Sequence, residues 1–241
     1  MLRPLLILQP SEAAQGELSI PTLRPRFITF DCYGTLTWFR ISDMAREMFA
    51  TRLPGDRIDQ FVADFTAYRF DEVLGAWQPY VDVIKNALER TCRRHHIAFV
   101  EADGQRIYDA VPTWGPHRDV PAPLRRIAEH IPMVILSNAS NDQIQHNVDK
   151  LGAPFHAVFT AEQAQSYKPR MRGFEFMLDS LGARPEDVLH VSASLRYDLM
   201  TAQALGIRDK AYINRSYEPS VPYYGYYEMR DLGGLPALVG L

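Results

Sequence analysis

The stretch FITFDCYGTL, residues 27–36, decides the fold of this chain. Its first four residues, Phe27 to Phe30, are typical of a short buried β-strand, because aromatic and β-branched side chains suit a pleated surface. The Gly-Thr pair that ends the stretch favours a sharp turn. Asp31 therefore stands directly at the end of the predicted strand, which is where the ligands of an open α/β sheet bind.

The rest of the chain is organised around this strand. From residue 118 onward, helical and strand patterns alternate with short loops, which is typical of a parallel, doubly wound sheet. We predict the later strands at 133–136, 157–159, 188–191 and 210–213, and the alternating helices at 121–130, 141–151, 171–182 and 195–205. Between the first and second strands, the spacing of apolar residues indicates helices at 42–52, 57–74, 81–94 and 105–111.

These patterns predict an α/β fold with a helical cap inserted after the first strand. We expect a core domain of residues 25–37 and 118–241, a cap domain of residues 38–117 and an N-terminal tail of residues 1–24. The C-terminal stretch from Tyr223 is rich in aromatic residues and glycine, and three arrangements stay open for it. The stretch could cover the sheet edge, form a dimer interface or pack against its own core.

The composition restricts the classes of function. The 241 residues are 46% hydrophobic and 23% charged, which is ordinary for a soluble globular protein, and the net charge of −3 gives no basic field for nucleic acid. No apolar run approaches the roughly 20 residues that span a bilayer. Two cysteines are too few for a disulfide framework and lack metal-ligand spacing. We expect a cytoplasmic protein with no nucleic-acid or membrane partner.

Polar side chains recur just beyond the predicted strands or in the loops of the core. Because the carboxyl ends of parallel strands meet at one rim, these groups are predicted to converge. Taken singly, a serine or asparagine after a strand is usually a helix N-cap. The candidates, in chain order, are Asp31, Tyr33, Thr35, Ser137, Asn138, Lys168, Ser192, Ser194 and Asp198.

The order of these groups resembles the haloacid dehalogenase superfamily, and within it the L-2-haloacid dehalogenase branch. The resemblance runs from about Arg26 to Arg215 and rests on four motifs, FDCYGTL, ILSNAS, YKP and HVSASLRYD. It implies a Rossmann-like core with a helical cap inserted after the first motif, in agreement with the predicted layout. It also implies a homodimer.

The residue at position 33 argues against metal-dependent phosphoryl transfer. Most members of the superfamily are phosphotransferases, with Asp-x-Asp in the first motif and acids in the fourth that together hold Mg²⁺. Here Tyr33 and Ala193 stand at two of those acidic positions. Asp31 and Asp198 alone supply few oxygen ligands for a hard cation. We therefore expect no metal and no cofactor.

The resemblance implies a metal-independent hydrolase that acts through a covalent ester. Asp31 would attack the α-carbon of a small 2-substituted carboxylic acid, and water would then release a 2-hydroxy acid. Lys168 would keep Asp31 ionised, and Thr35 and Ser192 would hydrogen-bond its carboxylate. Asp198 would orient Lys168 or the hydrolytic water. The leading interpretation is an (S)-2-haloacid dehalogenase.

Further residues are expected to contact the substrate or the leaving group. Ser137 would hold the substrate carboxylate, while Asn138 and a cap arginine, Arg69, would meet the departing anion. Arg69 has an alternative interpretation as a surface salt-bridge residue. The other pocket candidates are Tyr33, Trp38, Ser194 and Phe174.

Three departures from the family pattern bear on this site. Ser194 and Phe174 stand where the family has an asparagine and a tyrosine, and the fourth motif is one residue longer between Ser192 and Asp198. Trp38 has a second interpretation, in which it packs at the hinge of the cap. His190, towards the end of the predicted core strand 188–191, is interpreted as a hydrogen-bonded core histidine.

Three alternative functions stay open. The same nucleophile could open a strained cyclic amino acid such as L-azetidine-2-carboxylate, which would call for an acid near the leaving nitrogen. A Mg²⁺-dependent phosphatase would be recognised by its metal requirement. A binding protein on a retired enzyme fold would have no need of an Asp31–Lys168 pair.

Overall fold

The computed structural model describes residues 22–241, and its centre is a six-stranded sheet with every neighbouring pair parallel. The strand order is β3-β2-β1-β4-β5-β6, which confirms the predicted doubly wound α/β fold. The predicted N-terminal tail lies mostly outside the described residues. The strands are β1 Phe27–Phe30, β2 Met133–Ser137, β3 Ala157–Thr160, β4 Val188–Ser192, β5 Asp209–Ile213 and β6 Tyr227–Met229.

The central strands are buried on both faces. Every residue of β1, β2 and β4 is buried, which explains why their sequences are nearly continuous apolar runs. One row across the sheet is different. Thr29 pairs in register with His190, and His190 with Lys210, and each of the three is at most 1% exposed.

Helices flank the sheet and form the insertion after β1. The bounds of the predicted helices differ from the observed ones by a few residues, and the two four-residue helices Ala161–Ala164 and Leu235–Leu238 were not predicted. The observed helices are α1 Ile41–Phe49, α2 Ile58–Leu74, α3 Tyr80–Arg94, α4 Glu101–Ala110, α5 Pro121–Ala128, α6 Asn141–Val148, α7 Ala161–Ala164, α8 Met171–Leu181, α9 Met200–Ala204 and α10 Leu235–Leu238.

The four inserted helices, α1 to α4, have an apolar core of their own. It includes Phe49, Phe61, Phe65, Ile84 and Leu88, all fully buried. The sheet carries separate apolar clusters on its two faces, covered by α5, α6 and α10 on one side and by α8 and α9 on the other. The insertion therefore folds around its own side chains and lies beside β1 at the carboxyl end of the sheet.

The C-terminal stretch completes the sheet edge. Tyr227–Met229 pairs with Ala211–Ile213 as a sixth, parallel strand, which the sequence did not predict. Leu235 and Leu238 of the last helix are buried in the main core. Of the arrangements left open for this stretch, the structure shows edge covering together with packing against the chain's own core.

The predicted helix over 195–205 begins as a π-helical turn. Residues Leu195–Leu199 form this turn, and α9 follows directly at Met200. The backbone N–H of Leu199 donates to the carbonyl of Ser194 at 3.3 Å, an i→i+5 hydrogen bond. Because a π-turn takes up one extra residue, it accommodates the longer fourth motif at the position of Asp198.

None of the helices within residues 22–241 combines the length and the apolar character needed to cross a bilayer. Cys32 and Cys92 are both buried and unpaired.

Candidate active site

Asp31 lies at the carboxyl end of β1, and two side chains hold its carboxylate. Lys168 Nζ donates to Oδ1 at 2.8 Å, and Thr35 Oγ1 donates to Oδ2 at 2.6 Å. The Thr35 hydroxyl oxygen accepts the backbone N–H of Ala193 at 2.8 Å, so its own proton is directed at Asp31. Both carboxylate oxygens are therefore fixed in direction.

Lys168 is 2% exposed, and three acceptors surround its ammonium group. Besides Asp31, these are Asp198 Oδ1 at 2.7 Å and the carbonyl of Leu136 at 2.9 Å. An ammonium group carries three donors, so all of them are used. Lys168 thus bridges two buried carboxylates, one just after β1 and one on the π-helical turn.

The charges of this cluster depend on one another. Burial raises the pKa of Asp31 and outweighs the opposing charge and hydrogen bond of Lys168 and the hydrogen bond of Thr35. Burial also acts to raise the pKa of Asp198, but the charge of Lys168 and the hydrogen bond from His190 hold it below its usual value. Burial acts to lower the pKa of Lys168, yet the two carboxylates raise it. Lys168 is therefore a permanent cation here.

His190 joins this cluster from within the sheet. Its Nε2 lies 3.0 Å from Asp198 Oδ1, and its Nδ1 lies 2.8 Å from the Thr29 hydroxyl. The sequence interpretation, a hydrogen-bonded core histidine, did not include the contact with Asp198. The sequence feature that could have indicated this contact is a lone histidine within the aliphatic strand β4. Among the described residues, Asp198 Oδ2 is buried with no hydrogen-bond partner.

The serines of the second and fourth motifs have different partners. Ser137 Oγ, at the end of β2, is buried and has no partner among residues 22–241. Ser192 Oγ accepts the backbone N–H of Ser194 at 2.9 Å, and the described structure does not form the hydrogen bond to Asp31 expected for Ser192. Ser194 Oγ accepts the N–H of Tyr197 at 3.1 Å and so acts as an N-cap.

Glu218, which the sequence analysis did not single out, anchors the π-helical turn. Its carboxylate accepts the backbone N–H groups of Leu195 at 2.8 Å and of Arg196 at 3.2 Å, and Ser194 Oγ donates to it at 3.4 Å. Arg196 Nε forms an ion pair with it at 3.2 Å. No local pattern marks such a residue, because its partners lie more than twenty positions away in sequence.

Asn138 supports the loop that carries Lys168. The Asn138 side chain accepts the backbone N–H of Lys168 at 2.7 Å and donates to the Lys168 carbonyl at 2.9 Å. This pair of bonds fixes the main chain from which Lys168 extends. One amide hydrogen of Asn138 is left for another acceptor.

Arg69 is a buried cation on the cap helix α2. It is 5% exposed and forms no ion pair within the described part of the chain, so the surface salt-bridge alternative is wrong. Its guanidinium lies over the rings of Phe39, at 5.4 Å, and Phe65, at 5.1 Å. Nε is buried without a partner. Phe70, the next residue of α2, meets the Tyr197 ring edge to face at 5.1 Å, so this part of α2 lies beside the fourth motif.

The remaining pocket candidates form no hydrogen bond with Asp31, Lys168 or Asp198 in the described chain. The Tyr33 hydroxyl donates to Asn147 Oδ1 at 2.8 Å, towards the junction of cap and core. Trp38 is 49% exposed and stacks on His117 at 4.1 Å, in line with its hinge interpretation. Phe174 is fully buried, and its ring meets His190 edge to face at 4.9 Å, so its contact with the substrate stays a prediction.

The chain resembles known proteins along most of its length. It is 27% identical over 194 residues to an (S)-2-haloacid dehalogenase of Pseudomonas fluorescens, covering 77% of this chain and 83% of that protein. It is 26% identical over 198 residues to haloacetate dehalogenase H-2 of Moraxella sp. (strain B), covering 78% and 85%.

The fold is shared with solved structures. The L-2-haloacid dehalogenase from Xanthobacter autotrophicus with chloropropionic acid covalently bound matches with a TM-score of 0.72 at 21% identity, over 90% of this chain and 98% of that chain. The family model of haloacid dehalogenase-like hydrolases matches residues 25–206, from β1 to just beyond α9. This match spans more than half of the sequence, and the chain therefore belongs to the haloacid dehalogenase-like hydrolase family.

Proposed function

We propose that this hydrolase cleaves the carbon–halogen bond of a short (S)-2-haloalkanoate and releases a 2-hydroxy acid and a halide ion. The observation that carries the proposal is the Asp31 carboxylate, buried and fixed at one oxygen by Lys168 and at the other by Thr35. A carboxylate held in one direction beside a permanent cation is preorganised for nucleophilic attack. The two dehalogenases that the chain resembles support the choice of substrate class.

In the first step, Asp31 displaces the halide directly. One carboxylate oxygen forms a bond to the α-carbon, the carbon–halogen bond breaks, and its electron pair leaves with the halide. An ester on Asp31 results. Because attack comes from the side opposite the leaving group, the α-carbon inverts once, and an (S)-substrate gives an (R)-2-hydroxy acid.

Arg69 is the residue we propose for the leaving group. A buried guanidinium with no carboxylate partner among the described residues is costly unless an anion binds to it. A departing halide supplies that anion. A protonated ring nitrogen would instead be repelled by Arg69, and a guanidinium does not release a proton to it. Halide is therefore favoured over the ring-opening alternative.

The substrate carboxylate would bind at the end of β2. Ser137 Oγ is buried there without a partner, one residue after the Leu136 carbonyl that Lys168 contacts. A hydroxyl of this kind is a donor for an incoming carboxylate. We propose that Ser137 orients the substrate and that Asn138 acts through the Lys168 loop, with its remaining amide hydrogen turned to the leaving group or the substrate.

In the second step, water cleaves the ester. The water oxygen attacks the carbonyl carbon of the Asp31 ester, and its proton passes to Asp198 Oδ2, which has no other partner in the described chain. The tetrahedral intermediate collapses, the departing alkoxide takes the proton back from Asp198, and the Asp31 carboxyl group loses the second proton of the water to solvent and becomes a carboxylate again. The low pKa of Asp198 keeps it ionised for this role.

The phosphatase alternative finds little support in the geometry. Residues 22–241 contain no group of three or more His, Cys, Asp or Glu side chains that could hold a metal ion. The ammonium group of Lys168 lies between Asp31 and Asp198, the two acids that would share a cation. Tyr33, at the position of the second acid of the first motif, bonds to Asn147.

The test is halide release in EDTA from 2-chloro, 2-bromo and 2-fluoro acids of both hands, with L-azetidine-2-carboxylate and a phosphate ester plus Mg²⁺ in parallel. Asp31→Asn is expected to abolish halide release, and Asp56→Asn, on the exposed surface of the cap, is the matched control. A single turnover in H₂¹⁸O should place ¹⁸O in the peptide that contains Asp31. Turnover confined to the phosphate ester would contradict the proposal.

We also propose a homodimer in the cytoplasm. The family resemblance supports the dimer, and two buried, unpaired cysteines fit a reducing compartment. Light scattering on the eluted protein should give twice the monomer mass, and a mass equal to one chain would refute the dimer.

A further inference from the structure

His190 stands out among the residues of the central sheet because it is a polar ring in an aliphatic strand. Its neighbours in β4, Leu189 and Val191, are fully buried, and His190 is itself 0% exposed. A buried polar group is destabilising unless its hydrogen-bonding capacity is satisfied. The partners of both ring nitrogens therefore show what the residue does.

The contacts define the tautomer of the ring. Asp198 is an ionised acceptor, so the Nε2–H of His190 donates to Asp198 Oδ1 across 3.0 Å. Nδ1 then accepts the hydroxyl proton of Thr29, at 2.8 Å. The edge-to-face contact with Phe174 at 4.9 Å holds the plane of the ring from below. The imidazole is thereby fixed in position, orientation and tautomer.

The consequence concerns the two oxygens of Asp198. Oδ1 accepts from both His190 and Lys168, at 3.0 and 2.7 Å, while Oδ2 is buried without a partner in the described chain. Two donors on one oxygen fix the rotation of the carboxylate. The second oxygen then points in one constant direction.

This constraint matters most after the ester has formed. The esterified Asp31 is neutral, so Lys168 loses one of its two charged partners. With Lys168 alone, the Asp198 carboxylate could turn and present both oxygens to the ammonium group. The hydrogen bond from His190 opposes this turn, since it retains Oδ1 on the side of the sheet.

We propose that His190 is a positioning residue for hydrolysis of the ester, which it serves by keeping Asp198 Oδ2 free to take the proton of the attacking water. This inference rests on the proposed function. The atoms balance as in the second step above, and His190 neither gains nor loses a proton. A structural role alone would affect stability and both chemical steps; the positioning role affects the second step selectively.

Two carboxamide variants separate the two ring nitrogens. In His190→Gln the amide nitrogen occupies roughly the place of Nε2 and retains a donor for Asp198. In His190→Asn the amide reaches roughly the place of Nδ1 and retains Thr29 but not Asp198. Lys210→Met is the matched control, because Lys210 is also buried in the same row of the sheet and its ammonium group donates to the backbone carbonyls of Ile207 and Arg208.

The experiment is rapid-mixing kinetics of the full-length enzyme with the 2-halo acid that the native chain turns over best. Halide release reports the first step, 2-hydroxy acid release reports the second, and intact-protein mass spectrometry detects the ester. We expect His190→Asn to release about one halide per site in a burst, then to slow roughly tenfold to a hundredfold while the ester accumulates. His190→Gln and Lys210→Met should accumulate little ester.

The outcomes distinguish a positioning role of His190 from a merely structural one. Equal slowing of halide and product release in His190→Asn, without ester, overturns the positioning role. If His190→Asn does not fold, as judged by thermal melting, His190→Phe retains the ring packing on Phe174 without a donor and should accumulate ester in its place. Absence of halide release from the native enzyme would instead refute the proposed function, and it is measured in the same experiment.

Discussion

Thr35 offers the sharpest test of how the nucleophile is prepared. Its hydroxyl lies 2.6 Å from Asp31 Oδ2 and receives the N–H of Ala193, so its proton can be given to the carboxylate alone. Thr35→Val preserves the shape of the side chain and removes this donor. Thr35→Ser retains the donor and serves as the control.

The direction of the effect follows from the charge on Asp31. Asp31 attacks as a carboxylate, and burial already raises its pKa while the Thr35 hydrogen bond opposes that rise. A hydrogen bond to a charged group contributes about 1.5–3 kcal/mol, and 1.36 kcal/mol corresponds to a tenfold change in a protonation equilibrium. In Thr35→Val the pKa of Asp31 should therefore rise further.

The assay is the pH dependence of kcat/KM for halide release, which reports the free enzyme. The acid limb of the profile should move upward by about one to two pH units in Thr35→Val, with little movement in Thr35→Ser. The rate at the plateau should also fall, because the direction of the attacking oxygen is less constrained. An acid limb at the native position in Thr35→Val would refute this account of how the structure prepares Asp31.

Three further predictions concern other parts of the molecule. Arg69→Met should lower kcat/KM for halide release about a hundredfold or more without lowering the melting temperature, because it removes a buried charge that has no carboxylate partner in the described chain; native-like kinetics would remove Arg69 from the leaving-group site. Lys210→Met should raise the free energy of unfolding in urea by up to about 3 kcal/mol at pH 7, because burial lowers the pKa of Lys210 to about 8. For the same reason the native chain should gain stability as the pH rises from 8 towards 10.5, whereas the variant should not. The same pH dependence in both proteins would contradict it. Glu218→Gln should slow turnover roughly tenfold by loosening the π-helical turn, as measured by kcat, whereas Glu228→Gln on the neighbouring edge strand should leave kcat unchanged.

Much of the architecture could be predicted because its signals are local. A buried parallel strand is a short apolar run, and a helix repeats its apolar residues every three to four positions. These patterns place Asp31, Ser137 and Ser192 at the carboxyl ends of β1, β2 and β4, where the structure has them. The fold class and the convergence of Asp31, Lys168 and Asp198 follow from that placement together with the motif order.

The parts that could not be predicted depend on partners distant in sequence. The three-residue strand β6 has no strong pattern of its own and forms because the edge of β5 offers unpaired backbone groups. The π-helical turn follows from the extra residue before Asp198, but its anchor, Glu218, comes from a loop beyond the next strand. Ser192 was expected to contact Asp31, but the backbone turns after Ser192, and the Ser192 hydroxyl oxygen accepts the N–H of Ser194 instead.

The sequence by itself determined which residues are charged, where the strands end and in which order the motifs occur, since these depend on residue type and local periodicity. The tertiary structure alone decided which charges are compensated. Arg69 is buried without a carboxylate partner in the described chain, Asp31 and Asp198 both accept hydrogen bonds from Lys168, and His190 contacts Asp198. Electrostatic interactions act through space and strengthen with burial, so contacts between distant segments, which no local pattern contains, establish the chemistry of the site.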